Sequence, residues 1–198
     1  GTVPAGPARL LDAARTADLE PGALEFVERA LRSDAAAWEQ EFGTARDVTG
    51  LPVERNILRY LPHPVAIRAC EGSTLAELLR VAAAGVCAGA PINVSTSAEL
   101  PSDVRRVLHD LGVTLVREDD AGWLKRAGQL GSGRIRLLGG SVTKLYEAIG
   151  GRPDIAIYAQ PVTESGRVEL LPFLQEQAVS ITTHRFGTIL PQFLAITT

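Results

Sequence analysis

The sequence predicts an α/β architecture: a mostly parallel sheet with helices on both faces, an N-terminal helix before it and a C-terminal β-flap after it. Three observations carry this. Short apolar runs at residues 92–95, 113–116, 135–138 and 155–158 recur between amphipathic stretches. Residues that start helices stand before and between those runs, Thr74 ahead of the first and Asp119 or Asp120 and Ser141 between later ones, and Gly112 supplies a stop. Strands this apolar must be covered on both faces, and strand-helix alternation lays them parallel, which is a Rossmann-like unit.

Residues 1–21 are rich in Ala, Gly and Pro with one weak helical patch at 8–14, and read as a linker or peripheral segment. The stretch 22–43 is an N-terminal helix: Val27, Leu31, Trp38 and Phe42 share one face, charged residues take the others, and Gly43 ends it. After a loop at 44–52, residues 56–61 alternate imperfectly, and His63-Pro64 separates them from a second extended run at 65–70. Thr74-Leu-Ala-Glu77 has capping-box spacing and opens a helix that turns Leu75, Leu78, Leu79 and Ala82 inward. Further helices pack through Val104, Val107, Leu108 and Leu111, through Trp123, Leu124 and Ala127, and through Leu145 and Ile149. The body is thus assigned to 44–177. A helix-like run at 168–177 feeds an extended tail, 178–198, whose backbone groups have no evident partner inside a finished α/β unit. Such an arm is expected to dock on another surface.

Composition narrows the function. Of the 198 residues 45% are hydrophobic and 22% charged, and the net charge of −3 argues against a general nucleic-acid binder. The apolar stretches fall short of a membrane span, and the N-terminus lacks a basic start followed by an apolar core, so a cytoplasmic protein is expected. The opening Gly-Thr-Val-Pro suggests a piece cut from a longer polypeptide. Cys70 and Cys87 are too few for a disulfide scaffold and, without clustered His, for a metal site.

An open parallel sheet invites a nucleotide at the carboxyl ends of its strands. The best phosphate cradle is Leu138-Gly-Gly-Ser141, where Gly139, Gly140 and Ser141 would present backbone N–H groups at a helix start. GxGxxG is absent, so a tight turn with an ordinary N-cap describes the same residues. Ser95-Thr-Ser97 could bond a ribose or satisfy its own backbone. Cys87 lies among small residues, and Cys70 has Glu71 beside it, which raises a thiol's pKa rather than activating it. No histidine has a carboxylate partner suited to acid-base work, and no catalytic residue is nominated. In the tail, alternation sends Thr182, His184 and Phe186 to one face and Thr183 and Arg185 to the other. With Ile181 and Gly187 these form an interface candidate, Phe186 as anchor and Arg185 to pair a carboxylate. The alternative is an edge strand folded back on its own sheet.

The run Gly50-Leu-Pro-Val-Glu-Arg-Asn56, the α/β stretch after it and the close from Leu170 to Thr188 together resemble the C-terminal region of the bifunctional flavoenzyme proline utilisation A. The resemblance covers about residues 23–188. It implies an aldehyde-dehydrogenase-superfamily domain with a flap, noncatalytic, lying beside the catalytic aldehyde dehydrogenase module of the same polypeptide and helping to seal an internal channel, with a possible oligomer contact. The parent would use FAD and NAD; this part would hold neither. Working aldehyde dehydrogenases carry a Lys-Pro-Ser segment and a Phe-Thr-Gly-Ser turn where this chain reads Ser95-Thr-Ser97 and Leu138-Gly-Gly-Ser141. Gln160 stands near the place of their glutamate base, and no cysteine follows Cys87, so no thiolate is available to attack an aldehyde. An NAD-binding regulatory domain using the 138–141 turn is the alternative.

Overall fold

The structure is a computed structural model that describes residues 2–51, 53–182, 184–185 and 188–189, the last four by backbone alone. Five strands, β3 (Val65–Ala69), β4 (Ile92–Thr96), β5 (Thr114–Arg117), β6 (Gly133–Leu138) and β7 (Ile155–Tyr158), form one parallel sheet in the order β5-β4-β3-β6-β7. The chain lays β4 and β5 to one side of β3, then returns to lay β6 and β7 on the other, so successive connections part between β3 and β6. That is the switch point of a Rossmann-like sheet.

The faces are covered unequally. Helices α1 (Ala5–Thr16), α2 (Ala23–Ala37), α3 (Leu75–Cys87), α4 (Ser102–Asp110) and the short α7 (Gly166–Glu169) build the larger core. On the other face α5 (Asp120–Ala127) and α6 (Val142–Ala148) close a smaller one around Trp123, Ile135, Leu137 and Leu145. Helix α3 opens with the expected capping box, Thr74 and Glu77 each bonding the other's backbone N–H, and its Leu78, Leu79, Val81, Ala82, Ala83 and Ala84 are fully buried. Asp119 is the cap of α5 and Ser141 the cap of α6.

Four expectations need correction. Residues 5–16 form a helix longer than the patch at 8–14, and its Leu10, Ala13 and Ala14 are buried in the main core, so this stretch is packed rather than a connecting linker. The N-terminal helix turns into a π-helical segment, Trp38–Phe42, whose wider turn sets Phe42 edge-on against Tyr60 at 4.9 Å. The helix-like run at 168–177 is α7, then a 3-10 turn at Leu171–Phe173, then the start of β8 (Leu174–Thr182). Pro172 cannot supply the N–H that a longer helix would need there.

Most consequential, the first five residues of the tail, 178–182, are paired inside their own chain. β8 runs antiparallel to β2 (Glu54–Pro62) over nine residues, from Glu54↔Thr182 to Pro62↔Leu174, and β1 (Arg46–Asp47) covers the far side of β2. Side chains cross the ladder from Arg59 to Gln177 at 2.7 Å and from Ser180 to Asn56 at 2.9 Å. The flap is therefore a separate three-stranded sheet that draws two of its strands from residues assigned to the body, and it starts before residue 178. Beyond it β9 (His184–Arg185) and β10 (Thr188–Ile189) form a small antiparallel pair.

Candidate functional site

Two places merit a functional reading: the crevice at the switch point and the flap. At the crevice, β3 leads into Cys70 and β6 into the Gly139-Gly140 turn, and between α5 and α6 lies a hollow of about 430 Å³. Trp123, Leu124, Leu137 and Leu145 wall it, and Asp120, Ser141 and Lys144 stand among its lining residues. Both turn glycines have positive φ, 66° and 71°. A Cβ on Gly140 would also lie 2.7 Å from the Cys70 sulfur, so this turn is built around the thiol. The Ser141 hydroxyl accepts from the Lys144 N–H, which is ordinary capping.

Arg68 dominates the electrostatics. It leaves the middle of the sheet fully buried and reaches across the strand ends, donating to Ser95 Oγ at 2.7 Å, to the Glu118 carbonyl and to the Asp120 carboxylate. Ser95 in turn donates to Glu118, which Arg126 grips through Nε and Nη2. The two guanidiniums also lie 5.7 and 5.0 Å from the Trp123 ring. Charge follows geometry: the Arg126 hydrogen bond holds Glu118 below its usual range. Burial alone would raise Asp120, but the hydrogen bond and charge of Arg68 outweigh it and the net shift is downward.

The remaining candidates are placed as follows. Thr96 Oγ1 accepts from the Ala98 N–H, so with Ser95 held by Glu118 two of the three hydroxyls at 95–97 are engaged locally. Burial pushes the Cys70 thiol up and the Cys87 thiol up to about 12, which leaves both protonated near neutrality. His63 lies at the base of the flap with Nδ1 2.9 Å from the Pro64 carbonyl, and His109 is exposed on α4. Among the interface residues, Ile181 is half-buried and Thr182 exposed on β8. The backbone of His184 and Arg185 lies in β9, and Thr183, Phe186 and Gly187 lie outside the described residues. Among the described residues no group of three or more His, Cys, Asp or Glu could hold a metal ion.

A second polar network was missed by the sequence reading. Arg80 makes a bidentate pair with Asp34, at 2.6 and 2.8 Å, and its Nε donates to the Thr163 carbonyl. Thr163 N–H donates to Glu169, which pairs with Arg136, and Arg136 donates to the carbonyls of Leu137, Tyr158 and Gln160. All four charged side chains are buried, and together they fasten the segment after β7 that contains Gln160. The signal was present: an arginine inside an apolar strand, as in Ala66-Ile-Arg68-Ala69 and Ile135-Arg-Leu137, has no solvent face to reach when helices cover both sides.

No family model matches the sequence, and no curated protein does. Solved structures do. Proline utilisation A from Corynebacterium freiburgense superposes with a TM-score of 0.56 at 27% identity, over 96% of this chain and 16% of that one. A mutant of proline utilisation A from Bradyrhizobium japonicum gives 0.55 at 18% identity over 69% of this chain and 15% of its own. Betaine aldehyde dehydrogenase from Staphylococcus aureus, solved with NAD+, gives 0.52 at 13% identity over 77% and 36%. At these last two identities the likeness is one of fold. The chain spans only 16% or less of the proline utilisation A chains, and no described helix is long and apolar enough to cross a membrane. Over nearly its whole length, then, this chain is similar to one portion of proline utilisation A, with a fold that aldehyde dehydrogenases share.

Proposed function

We propose that this chain is a noncatalytic structural module of a bifunctional enzyme that takes proline to glutamate. In this reading its flap covers the pyrroline-5-carboxylate dehydrogenase module of the same cytoplasmic polypeptide, and so helps to close the channel through which the intermediate passes. FAD and NAD would work in the catalytic modules. The observation that carries the reading is the contrast between the two candidate places. The charged groups beside the crevice, Arg68, Asp120, Glu118 and Arg126, are paired with one another, whereas β8 is the outer strand of its sheet and, among the described residues, pairs with β2 alone.

The crevice residues do not suit a dinucleotide. The start of α3, where a Rossmann pyrophosphate would rest, already holds the Glu77 carboxylate in its capping box, so a second anion meets like charge. Arg68 already donates through Nη1 and Nη2 to Asp120, Ser95 and Glu118. An NAD-sensing role keeps one observation in its favour, the hollow beside Gly140 and Ser141. Calorimetry decides between them: the module reading expects no heat with NAD, and micromolar binding lost in Gly140→Val would establish the sensor instead. The module reading is tested in the parent by deleting residues 178–198, which removes the outer half of β8 and the tail beyond it. Coupled proline-to-glutamate flux should fall, and an unchanged rate would refute the covering role.

A further inference from the structure

The second leg of the flap meets one side chain of the sheet, Arg134, beside the strand into which the first leg runs. The first leg, β2, ends at Pro62 and passes through His63-Pro64 into β3, whose first residue, Val65, stands beside Arg134 of β6 in the parallel register. The second leg enters through Pro172, Phe173 and Leu174, and the His63 N–H donates to the Phe173 carbonyl at 2.8 Å as the last rung between the legs. Arg134 Nη1 then donates to the carbonyls of Pro172, at 2.8 Å, and Leu174, at 2.6 Å. No carboxylate among the described residues forms an ion pair with Arg134, so its guanidinium is spent on backbone that belongs to the flap's root. A hollow of about 390 Å³, lined by His63, Pro64, Asn93, Ser132, Arg134 and Ile155, lies beside the first leg, whereas Phe173 and Leu174 of the second leg are anchored in the main core.

We infer that Arg134 is the bracket that sets the angle between flap and sheet. Three prolines, Pro62, Pro64 and Pro172, fix φ on both legs, yet a proline ring leaves ψ free, so the anchored Phe173 needs its flanking carbonyls held to fix the direction of the strand after it. Charge-assisted bonds to two carbonyls that flank Phe173 fix the direction in which the second leg departs, and the ladder carries that direction to β2. Arg134 is thus a positioning residue. Its consequence for catalysis rests on the covering role proposed above, because an arm must arrive at its target at a set angle.

The test measures the angle directly in the 198-residue chain. Nitroxides are placed on the flap at Ser180→Cys and on the body at Tyr146→Cys, both exposed positions, with the buried Cys70 and Cys87 left in place. Pulsed electron resonance should give one narrow distance distribution. Arg134→Met should widen it about twofold, and Arg134→Lys, which keeps a cation within reach of one carbonyl, should restore much of the sharpness. If Arg134→Met does not fold, Arg134→Gln takes its place. An unaltered width in the Met or Gln variant, or a wide distribution in the parent chain, overturns the bracket. Coupled flux in the full polypeptide reads the other claim separately: widening without loss of flux would leave the bracket standing and count against the covering role.

Discussion

Asp34 and Arg80 show how far burial governs this chain. Burial raises the Asp34 carboxyl from 3.8 to about 6 even though Arg80 opposes the shift through charge and hydrogen bonds. A folded pKa above the unfolded one means that the folded state holds the proton more readily. The stability Asp34 contributes is therefore complete below about pH 3.8 and is lost as pH rises through about 6. At neutral pH the pair is held against its desolvation cost, so removing one partner should cost far more than removing both. Asp34→Asn leaves the Arg80 guanidinium buried without its carboxylate and should cost about 3–5 kcal/mol in urea unfolding. The double replacement Asp34→Leu with Arg80→Met should be close to neutral, and it should flatten the slope of stability between pH 4 and 7. A double variant as unstable as the single one would mean that the pair contributes net stability. Gly140 is a second residue whose environment dictates its identity: Gly140→Val combines a positive φ with a clash on Cys70. It should lower stability by about 2–4 kcal/mol by thermal melting.

At the scale of elements, capping chemistry was the most legible part of the sequence. Thr74 and Glu77 announce α3 correctly, and Thr74→Ala should cost about 1 kcal/mol, read as a lower melting temperature. The parallel strands and their helices were legible because their period is local. The flap was not, and the reason is physical. The partner of Leu174–Thr182 lies at Glu54–Pro62, more than a hundred positions earlier, and neither strand has a turn sequence naming the other. Charged and polar residues at Glu54, Arg55, Asn56, Gln175, Glu176 and Gln177 blur the alternation, because these strands are half-buried on a small sheet rather than packed in the core. The crevice was half legible. Its glycine turn and Ser141 cap could be placed from sequence, whereas the reach of Arg68 to Asp120 joins residues brought together only after the two crossovers β3-α3-β4 and β4-α4-β5. The ion-pair network beside the crevice therefore could not be read from any one segment.

For the whole molecule, the remaining question is what lies against the outer edge of β8, and register supplies a way to ask it. The His63 to Phe173 rung continues the β2-β8 register, so residues 175, 177, 179 and 181 direct their N–H groups toward β2 and residues 176, 178, 180 and 182 direct theirs outward. A proline therefore reports which side of the strand matters. Val179→Pro removes an inner rung and should open the ladder, visible as fast amide exchange along both strands of the flap. Ala178→Pro removes an outward N–H from an exposed position and should leave the isolated chain folded, with melting close to that of the parent chain. In the full polypeptide the same substitution blocks any strand that would add to this edge. If backbone pairing there holds the flap on the catalytic module, Ala178→Pro should lower coupled flux while sparing the isolated fold. If coverage comes from side chains alone, flux should survive Ala178→Pro and fall only when the ladder itself is opened by Val179→Pro.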